Sequence, residues 1–490
     1  MIDSEMAVPL EVVVVGGGFS GTMAAIQLAR MGAGRPVRVT VVNTGYKPAR
    51  GVAYDTDCME HLVTLPAHLS SAFPDEPAHL VEWLQTDACA RDLEVQALDR
   101  DKVPGAFISR RLYGQYLESL MHEYVNGSRS NGVSIRYVEG EAVDVENVTS
   151  DEAQVVLQDG QRILAHKIVL ATGNEAPAGL PGFSAADVAR HPGWVANPWV
   201  DWSTHLADAD PGQDVVLLGT GLTCVDIMLT LLRQNWRGSI TAVSRHALLP
   251  MPHFAAEESM EGTEDWPPAG VELTSLTLQE LLALFSEHAA RVKAAGGHPA
   301  RLIGKINPQA TSLWQNFDLA DKQLFVSRYA TRYKNLRQHI APSLHAELQQ
   351  AVVHEKINVA RGSVLAVETD NERLCVRIQD GSDALPARTL RADMVINCLG
   401  PNVRTTDTNS RILRNLLSKQ LIEPDDMDMG IRVDARLRAL VEGRQVSPLF
   451  LALGPLLRGT LWDSIAVPDL RLQAVKVAQT ILAEEWRHHA

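Results

Sequence analysis

Two short glycine patterns carry the strongest chemical signal in the sequence. The first is Gly16-Gly17-Gly18-Phe19-Ser20-Gly21, directly after the strand-like run Leu10 to Val15. The second is Gly219-Thr220-Gly221-Leu222-Thr223-Cys224, directly after Asp214 to Leu218. In a G-x-G-x-x-G turn the first glycine permits a tight reversal. The second lets the backbone approach a pyrophosphate, and the third lets the helix pack closely on the strand. The anion then rests on free N–H groups at the positive end of the helix dipole. One dinucleotide is expected at Gly16, Gly18, Phe19, Ser20 and Gly21, and another at Gly219, Gly221, Leu222 and Thr223.

The residue ending the next strand selects the nucleotide. Asn43 lies 22 residues after Gly21, where an acid commonly holds a ribose hydroxyl. An amide can bond that hydroxyl without charge assistance. After the second turn the strand ends in Ser244-Arg245. An arginine there suits the 2′-phosphate of NADP, which an acid would repel. NADPH is therefore expected over NADH, with Ser244 and Arg245 among its ligands. The missing third glycine, replaced by Cys224, should set the second helix slightly farther from its strand.

These turns need a scaffold, and the sequence lays it out twice. Each turn runs into a helical pattern, Thr22 to Met31 and Cys224 to Gln234, and then a second strand, Val37 to Asn43 and Ser239 to Ser244. Each half continues through parallel segments, Ser134 to Val145 and Ile357 to Val367, and an Asp-Gly turn, Asp159-Gly160 and Asp380-Gly381. Each closes on a strand that stops at glycine, Lys167 to Gly173 and Asp393 to Gly400. The expected fold is α/β, with two Rossmann-like dinucleotide-binding domains. Helical periodicity between Leu273 and Val352 marks an all-helical insert, and the proline-rich stretch Ser244 to Pro268 reads as loop, a candidate lid. The expected plan is a first domain over 1–205, continued at 401–490, and a second over 206–272 and 353–400, with the insert at 273–352 between them.

Composition narrows the chemistry. With 45 Lys and Arg against 59 Asp and Glu, the formal charge of −14 argues against nucleic acid or an anionic membrane as partner. The five cysteines form no C-x-x-C pair, which disfavours a dithiol relay, a disulfide framework and a tetrahedral zinc site; no metal is expected. No run approaches the ~20 apolar residues of a membrane helix. Met1 to Glu5 lacks a basic segment, so a cytoplasmic location is expected.

Longer motifs carry a family resemblance. They are Gly51-Val52-Ala53-Tyr54, His61 to Ala67, Phe107 to Leu117, Ala171-Thr172-Gly173-Asn174, Asn197-Pro198-Trp199, Gly219 to Asp226, Ser244 to Pro250, and Gly454 to Asp463 followed by Ala466 to Arg471. Together they resemble the bacterial FAD/NAD(P)-binding proteins of the two-dinucleotide-domain flavoproteins. That group includes flavin-containing monooxygenases and amine or amino-acid N-hydroxylases. The most similar branch contains the aspartate N-monooxygenases (nitrosuccinate synthases). The resemblance implies FAD at the first turn. It places His61, Thr64 and Leu65 along the flavin, Ala171, Thr172 and Gly173 where the FAD chain crosses, and Gly454, Trp462, Asp463 and Ala466 in a closing flavin segment. The family usually has Asn at the position of Thr64.

The implied reaction is hydride transfer from NADPH to FAD and onward transfer to O2, with a C4a-hydroperoxide kept dry until a small amine or amino acid is N-hydroxylated. Arg110 and Arg458 are candidate carboxylate ligands, with Arg337 and His339 as alternatives, and His246 flanks the nucleotide. Two other readings stand beside it: an NADPH-linked reductase or dehydrogenase with another acceptor, and a non-enzymatic flavin redox sensor.

Overall fold

A computed structural model of the chain describes residues 8–127, 132–179, 185–254, 263, 265–370, 372–380, 386–441, 444–462 and 464–483. Its strands are β1 (Leu10–Val15), β2 (Val37–Asn43), β3 (Val133–Glu139), β4 (Ala142–Glu146), β5 (Ala153–Leu157), β6 (Arg162–Ala165), β7 (Lys167–Leu170), β8 (Trp194–Val195), β9 (Val215–Leu218) and β10 (Ile240–Ser244). They continue as β11 (Met251–Pro252), β12 (His339–Ile340), β13 (Ile357–Arg361), β14 (Ser363–Thr369), β15 (Leu374–Gln379), β16 (Arg388–Ala392), β17 (Met394–Asn397), β18 (Arg438–Val441) and β19 (Gln445–Ala452).

The duplication is visible in the strand order. One sheet runs β18-β19-β7-β1-β2-β3, and the other runs β13-β10-β9-β17-β8. The cores β3-β2-β1-β7 and β13-β10-β9-β17 correspond strand for strand, and all their pairings are parallel. Parallel strands are buried on both faces, which explains the apolar run Val12 to Val15 and the fully buried Val215 to Leu218. Each half also carries a three-stranded antiparallel meander, β4-β5-β6 and β14-β15-β16. The chain joins the second sheet at β8, ahead of the boundary expected at 205–206.

The first helix is Phe19–Met31, buried continuously from Phe19 to Ala29. A helix with no exposed face needs cover all round, and the C-terminal helix Val467–Ala483 supplies part of it. The Arg35 guanidinium ties the two by donating to the carbonyl of Leu482. The second glycine turn opens the helix Leu222–Arg233. Both helices begin a turn or less before the expected starts, because the glycine turn itself supplies the first helical residues.

The insert is built mainly of helices, including Leu278–Ala294, Ala310–Asn316, Ala330–Arg337 and Pro342–Val353. A capping box joins Thr277 and Glu280 at the first of these. The expectation of an all-helical insert needs correction: β12 pairs in parallel with β11 of the proline-rich stretch. That stretch is therefore not all loop, because backbone pairing docks Met251–Pro252 on the insert. Within the candidate lid, residues 255–262 and 264 lie outside the described residues. The insert has its own apolar core around Trp266, Leu302 and Trp314, and this core takes in Trp462 from the closing segment. Among the described residues, no helix is long and apolar enough to cross a membrane.

Candidate active site

The two glycine turns share one geometry. Gly16 has φ of 111° and Gly219 has φ of 109°, a region that L side chains rarely adopt. A Cβ at Gly16 would strike the carbonyl of Ala171 at the end of β7, and one at Gly219 would strike that of Cys398 at the end of β17. Gly21 would collide with the carbonyl of Gly16, so the first helix packs hard on its strand, as the third glycine requires. Gly18 and Gly221 sit at the N-caps of their helices with extended backbone, φ of −79° and −82°. Next to Gly18 lies Gly51, whose Cα is 3.4 Å from the place of a Cβ, whereas beside Gly221 there is open space.

A cleft of about 1000 Å³ joins the second turn to the segment expected along the flavin. Gly219, Gly221, Leu222, Thr223, Ser244 and Arg245 form one part of its wall, and Thr64 and Leu65 another. Arg458, Trp462 and Ala466 bring in the closing segment, while Lys334, Asn335 and Gln338 bring in the insert. The titratable residues in the wall include Arg110, Arg245, His246, Lys334 and Arg458, and among the described residues no carboxylate lines it. A chain of net charge −14 therefore presents a basic chamber, which suits anionic nucleotides.

The first turn lies outside this cleft but meets the closing segment. The place of a Cβ on Gly454, which has φ of 81°, is 3.1 Å from Ser20 Oγ. Gly454 N–H donates to Gln473 Oε1 at 2.8 Å, and the Ser464 hydroxyl donates to the Gly454 carbonyl at 2.7 Å. Several buried polar atoms here lack a protein partner: Thr172 Oγ1, Asn174 Oδ1 and Trp462 Nε1. Unmet buried donors and acceptors are costly. Three of them around Gly173 and the closing segment fit a polar ligand such as FAD. Phe19 is buried, with its ring 6.5 Å from that of Tyr54. Burial pushes the Tyr54 hydroxyl up to about 12, against the opposing pull of Arg110.

Other expected ligands are placed differently. Asn43 is buried, and its Nδ2 donates to the Tyr46 carbonyl at 2.7 Å while its side chain packs on Gly17. His61 turns away from the cleft: Nε2 meets Thr230 Oγ1 at 2.9 Å, and Nδ1 meets Thr56 Oγ1 at 3.3 Å. Cys58, Glu60 and His61 bring ligand atoms within 4.8 Å of one another, yet both ring nitrogens of His61 are already engaged. Arg110 lines the cleft but is held by Asp226 at 2.8 Å and by the carbonyl of Leu62 at 3.3 Å. The carbonyl of Thr64 accepts from His253 Nε2 at 2.6 Å. His339 stands behind His253 with ring centroids 5.3 Å apart, and burial, helped by His253, lowers its pKa to about 4. Arg337 reaches Asp469 at 3.7 Å. Asp463 lies outside the described residues.

Sequence reasoning missed part of the nucleotide end. His246 is held below its usual pKa by burial and by Arg245, Arg332 and Arg361. Three guanidiniums thus lie near His246, and of these Arg245 lines the cleft. Arg361 ends β13, directly beside Ser244 in register, so the repeated strand plan carried a signal for it. Arg332 comes from the insert and left no such signal. The insert also holds the closing segment: Trp314 stacks on Trp462 at 4.7 Å, and Trp314 Nε1 donates to the Gly459 carbonyl at 2.7 Å. Trp462 itself has φ of 35°.

Comparisons with known proteins fit this geometry. Residues 13–175 match the model of the FAD-NAD(P)-binding family. Among curated proteins, none matches the sequence. The fold resembles L-lysine 6-monooxygenase from Pseudomonas syringae, with 16% identity, TM-score 0.63, and 96% of this chain and 99% of that chain covered. It also resembles ornithine hydroxylase from Pseudomonas aeruginosa, with 13% identity, TM-score 0.62 and coverage of 97% and 99%. A bacillithiol disulfide reductase from Staphylococcus aureus shares the fold at 12% identity, TM-score 0.54 and coverage of 97% and 99%. Residues 13–175 thus match an FAD-NAD(P)-binding family model, and the chain as a whole shares the fold of these solved proteins.

Proposed function

We propose that the protein is an FAD-dependent, NADPH-consuming monooxygenase that N-hydroxylates a small amine or amino acid. The observation that carries this reading is a continuous basic cleft, which runs from Ser244 and Arg245 to Thr64, Leu65 and Trp462. One chamber can then hold the nicotinamide nucleotide, the flavin ring and a small substrate together. The fold shared with lysine and ornithine hydroxylases supports the same reading.

FAD, when bound, supplies two-electron exchange with NADPH and the activation of O2. The residues of the chain bind and shield. The Gly16 turn, Thr172, Asn174 and the closing segment would hold FAD, and Gly219 to Thr223 with Arg245, Arg332 and Arg361 would hold NADPH. The stacked Trp314 and Trp462 and the insert exclude water from one side of the chamber. Arg458 and Lys334 offer positive charge for a carboxylate.

A second reading, a reductase with another acceptor, is favoured by one feature: Cys398 lies in the cleft wall with Cys224 as its neighbour. Burial pushes the Cys224 thiol well up, which makes it a poor nucleophile. Anaerobic reduction by NADPH followed by admission of O2 with a panel of amines and amino acids separates the readings. Hydroxylated product at the expense of hydrogen peroxide is expected. If no amine or amino acid diverts the flux, the monooxygenase reading fails.

A further inference from the structure

Two polar contacts cross from the flavin half to the nucleotide half and land on one face of one helix. Asp226 and Thr230 are four residues apart on the helix Leu222–Arg233, so they point the same way. Asp226 Oδ2 pairs with Arg110 Nη1 at 2.8 Å, with both side chains largely buried. Thr230 Oγ1 donates to the Asp226 carbonyl at 3.1 Å. Its hydroxyl hydrogen is thereby used, so at 2.9 Å it accepts from His61 Nε2–H. Nδ1 of His61 is then the acceptor for the Thr56 hydroxyl at 3.3 Å.

The partners on the flavin side also form one unit. Leu62 and Ser109 make an isolated antiparallel bridge, Arg110 N–H donates to the His61 carbonyl at 2.7 Å, and Val63 N–H donates to that of Ile108 at 2.9 Å. This paired backbone runs directly into Thr64 and Leu65 of the cleft wall. Cys58, Leu62 and Phe107 add apolar contact by packing against the core of the nucleotide half. On the other side, the same helix begins at Gly221, Leu222 and Thr223, where the pyrophosphate would sit. About two helical turns thus connect the nucleotide cradle rigidly to the flavin wall.

We propose that Arg110–Asp226 and His61–Thr230 form a latch that fixes the distance between nicotinamide and flavin, with Arg110, Asp226, His61 and Thr230 as positioning residues. The inference rests on the cofactor assignment of the proposed function. In the step it serves, NADPH is oxidised to NADP and its hydride passes to FAD, which is thereby reduced. Binding of either cofactor does not need the latch; their mutual alignment does.

The test uses the full-length FAD-loaded protein and the variants Asp226→Asn, Thr230→Val, their double and Thr230→Ser. Anaerobic stopped-flow gives the NADPH Kd and the limiting rate of flavin reduction separately, and hydrogen exchange reports on residues 61–65 and 222–230. In the double variant, FAD content and NADPH Kd should stay near wild type while the limiting rate falls on the order of tenfold or more. Exchange should rise in both segments, and Thr230→Ser, which keeps the hydroxyl, should restore the rate. A limiting rate within about twofold of wild type overturns the latch, as does loss of FAD in step with the rate. If NADPH does not reduce the wild-type flavin, the functional reading has failed instead. The latch is then judged on exchange alone: unchanged exchange at both segments overturns it, and faster exchange at both upholds it.

Discussion

Replacing Gly221 by alanine separates nucleotide binding from folding. Gly221 has φ of −82°, which alanine adopts freely, and among the described residues no atom beyond its chain neighbours and the adjacent helix backbone lies within 4 Å of the new Cβ. The folded protein therefore loses little. Alanine is a poorer N-cap than glycine by a few tenths of a kcal/mol or more, and the stiffer unfolded chain offsets about 0.4–1 kcal/mol of that. The new methyl occupies the cleft at the mouth of the helix, where a pyrophosphate oxygen must come within ~2.9 Å of the backbone N–H groups. Loss of one charge-assisted hydrogen bond, at about 1.5–3 kcal/mol, weakens NADPH binding roughly 10- to 150-fold. The assay is anaerobic titration of flavin reduction, with FAD content and thermal midpoint measured on the same sample. Retention of FAD and of the midpoint is expected, with the loss confined to NADPH. An NADPH Kd within about twofold of wild type would show that the open space at Gly221 is not the pyrophosphate site.

Arg361→Ala and Arg245→Ala should each weaken NADPH by about tenfold or more while leaving NADH nearly unchanged, because only NADPH carries the 2′-phosphate; equal losses for both nucleotides in steady-state kinetics would contradict the assignment. His339, with its pKa lowered to about 4, stays neutral in the folded protein over a range where the unfolded chain takes up a proton. Stability should therefore decline as pH falls from the ordinary histidine value of 6.5 toward 4, and His339→Gln should flatten that decline in denaturant titrations. Trp462→Ala should cost about 3–5 kcal/mol by emptying the stack with Trp314. Trp462→Phe, which keeps an aromatic face toward Trp314 but removes part of the indole together with an N–H that has no protein partner, should lower the apo-protein's midpoint less than Trp462→Ala does in calorimetry.

What the sequence revealed was local. Gly16 and Gly219 announce a backbone reversal by their type, and the apolar runs after Leu10 and Asp214 announce buried parallel strands. Both conclusions need only a few neighbouring residues. The pairing of Arg110 with Asp226 joins positions 116 apart, and no spacing rule predicts it. His61 and Asn43 stood in the expected motifs, yet their side chains answer to Thr230 and Tyr46, because tertiary neighbours decide where a ring or an amide points. The insert was recognised by its helical period. That period says which face is apolar but not what the face covers, so Trp314 against Trp462 and Arg332 beside His246 emerged only in three dimensions.

The order of strands in the first sheet bears on how the chain is made. β1 to β3 and β7 lie in the first 170 residues, but β18, β19 and the helix Val467–Ala483 come from the last 60 or so. The second sheet, by contrast, is complete once β17 has been synthesised. On the ribosome, then, the inner fold can finish while the outer one still waits, with the apolar helix Phe19–Met31 uncovered until the final helix arrives. A messenger cut short between the codons for β17 and β18 would therefore yield a chain with an intact nucleotide fold and an unfinished flavin fold, a product suited to recognition by chaperones rather than to redox work.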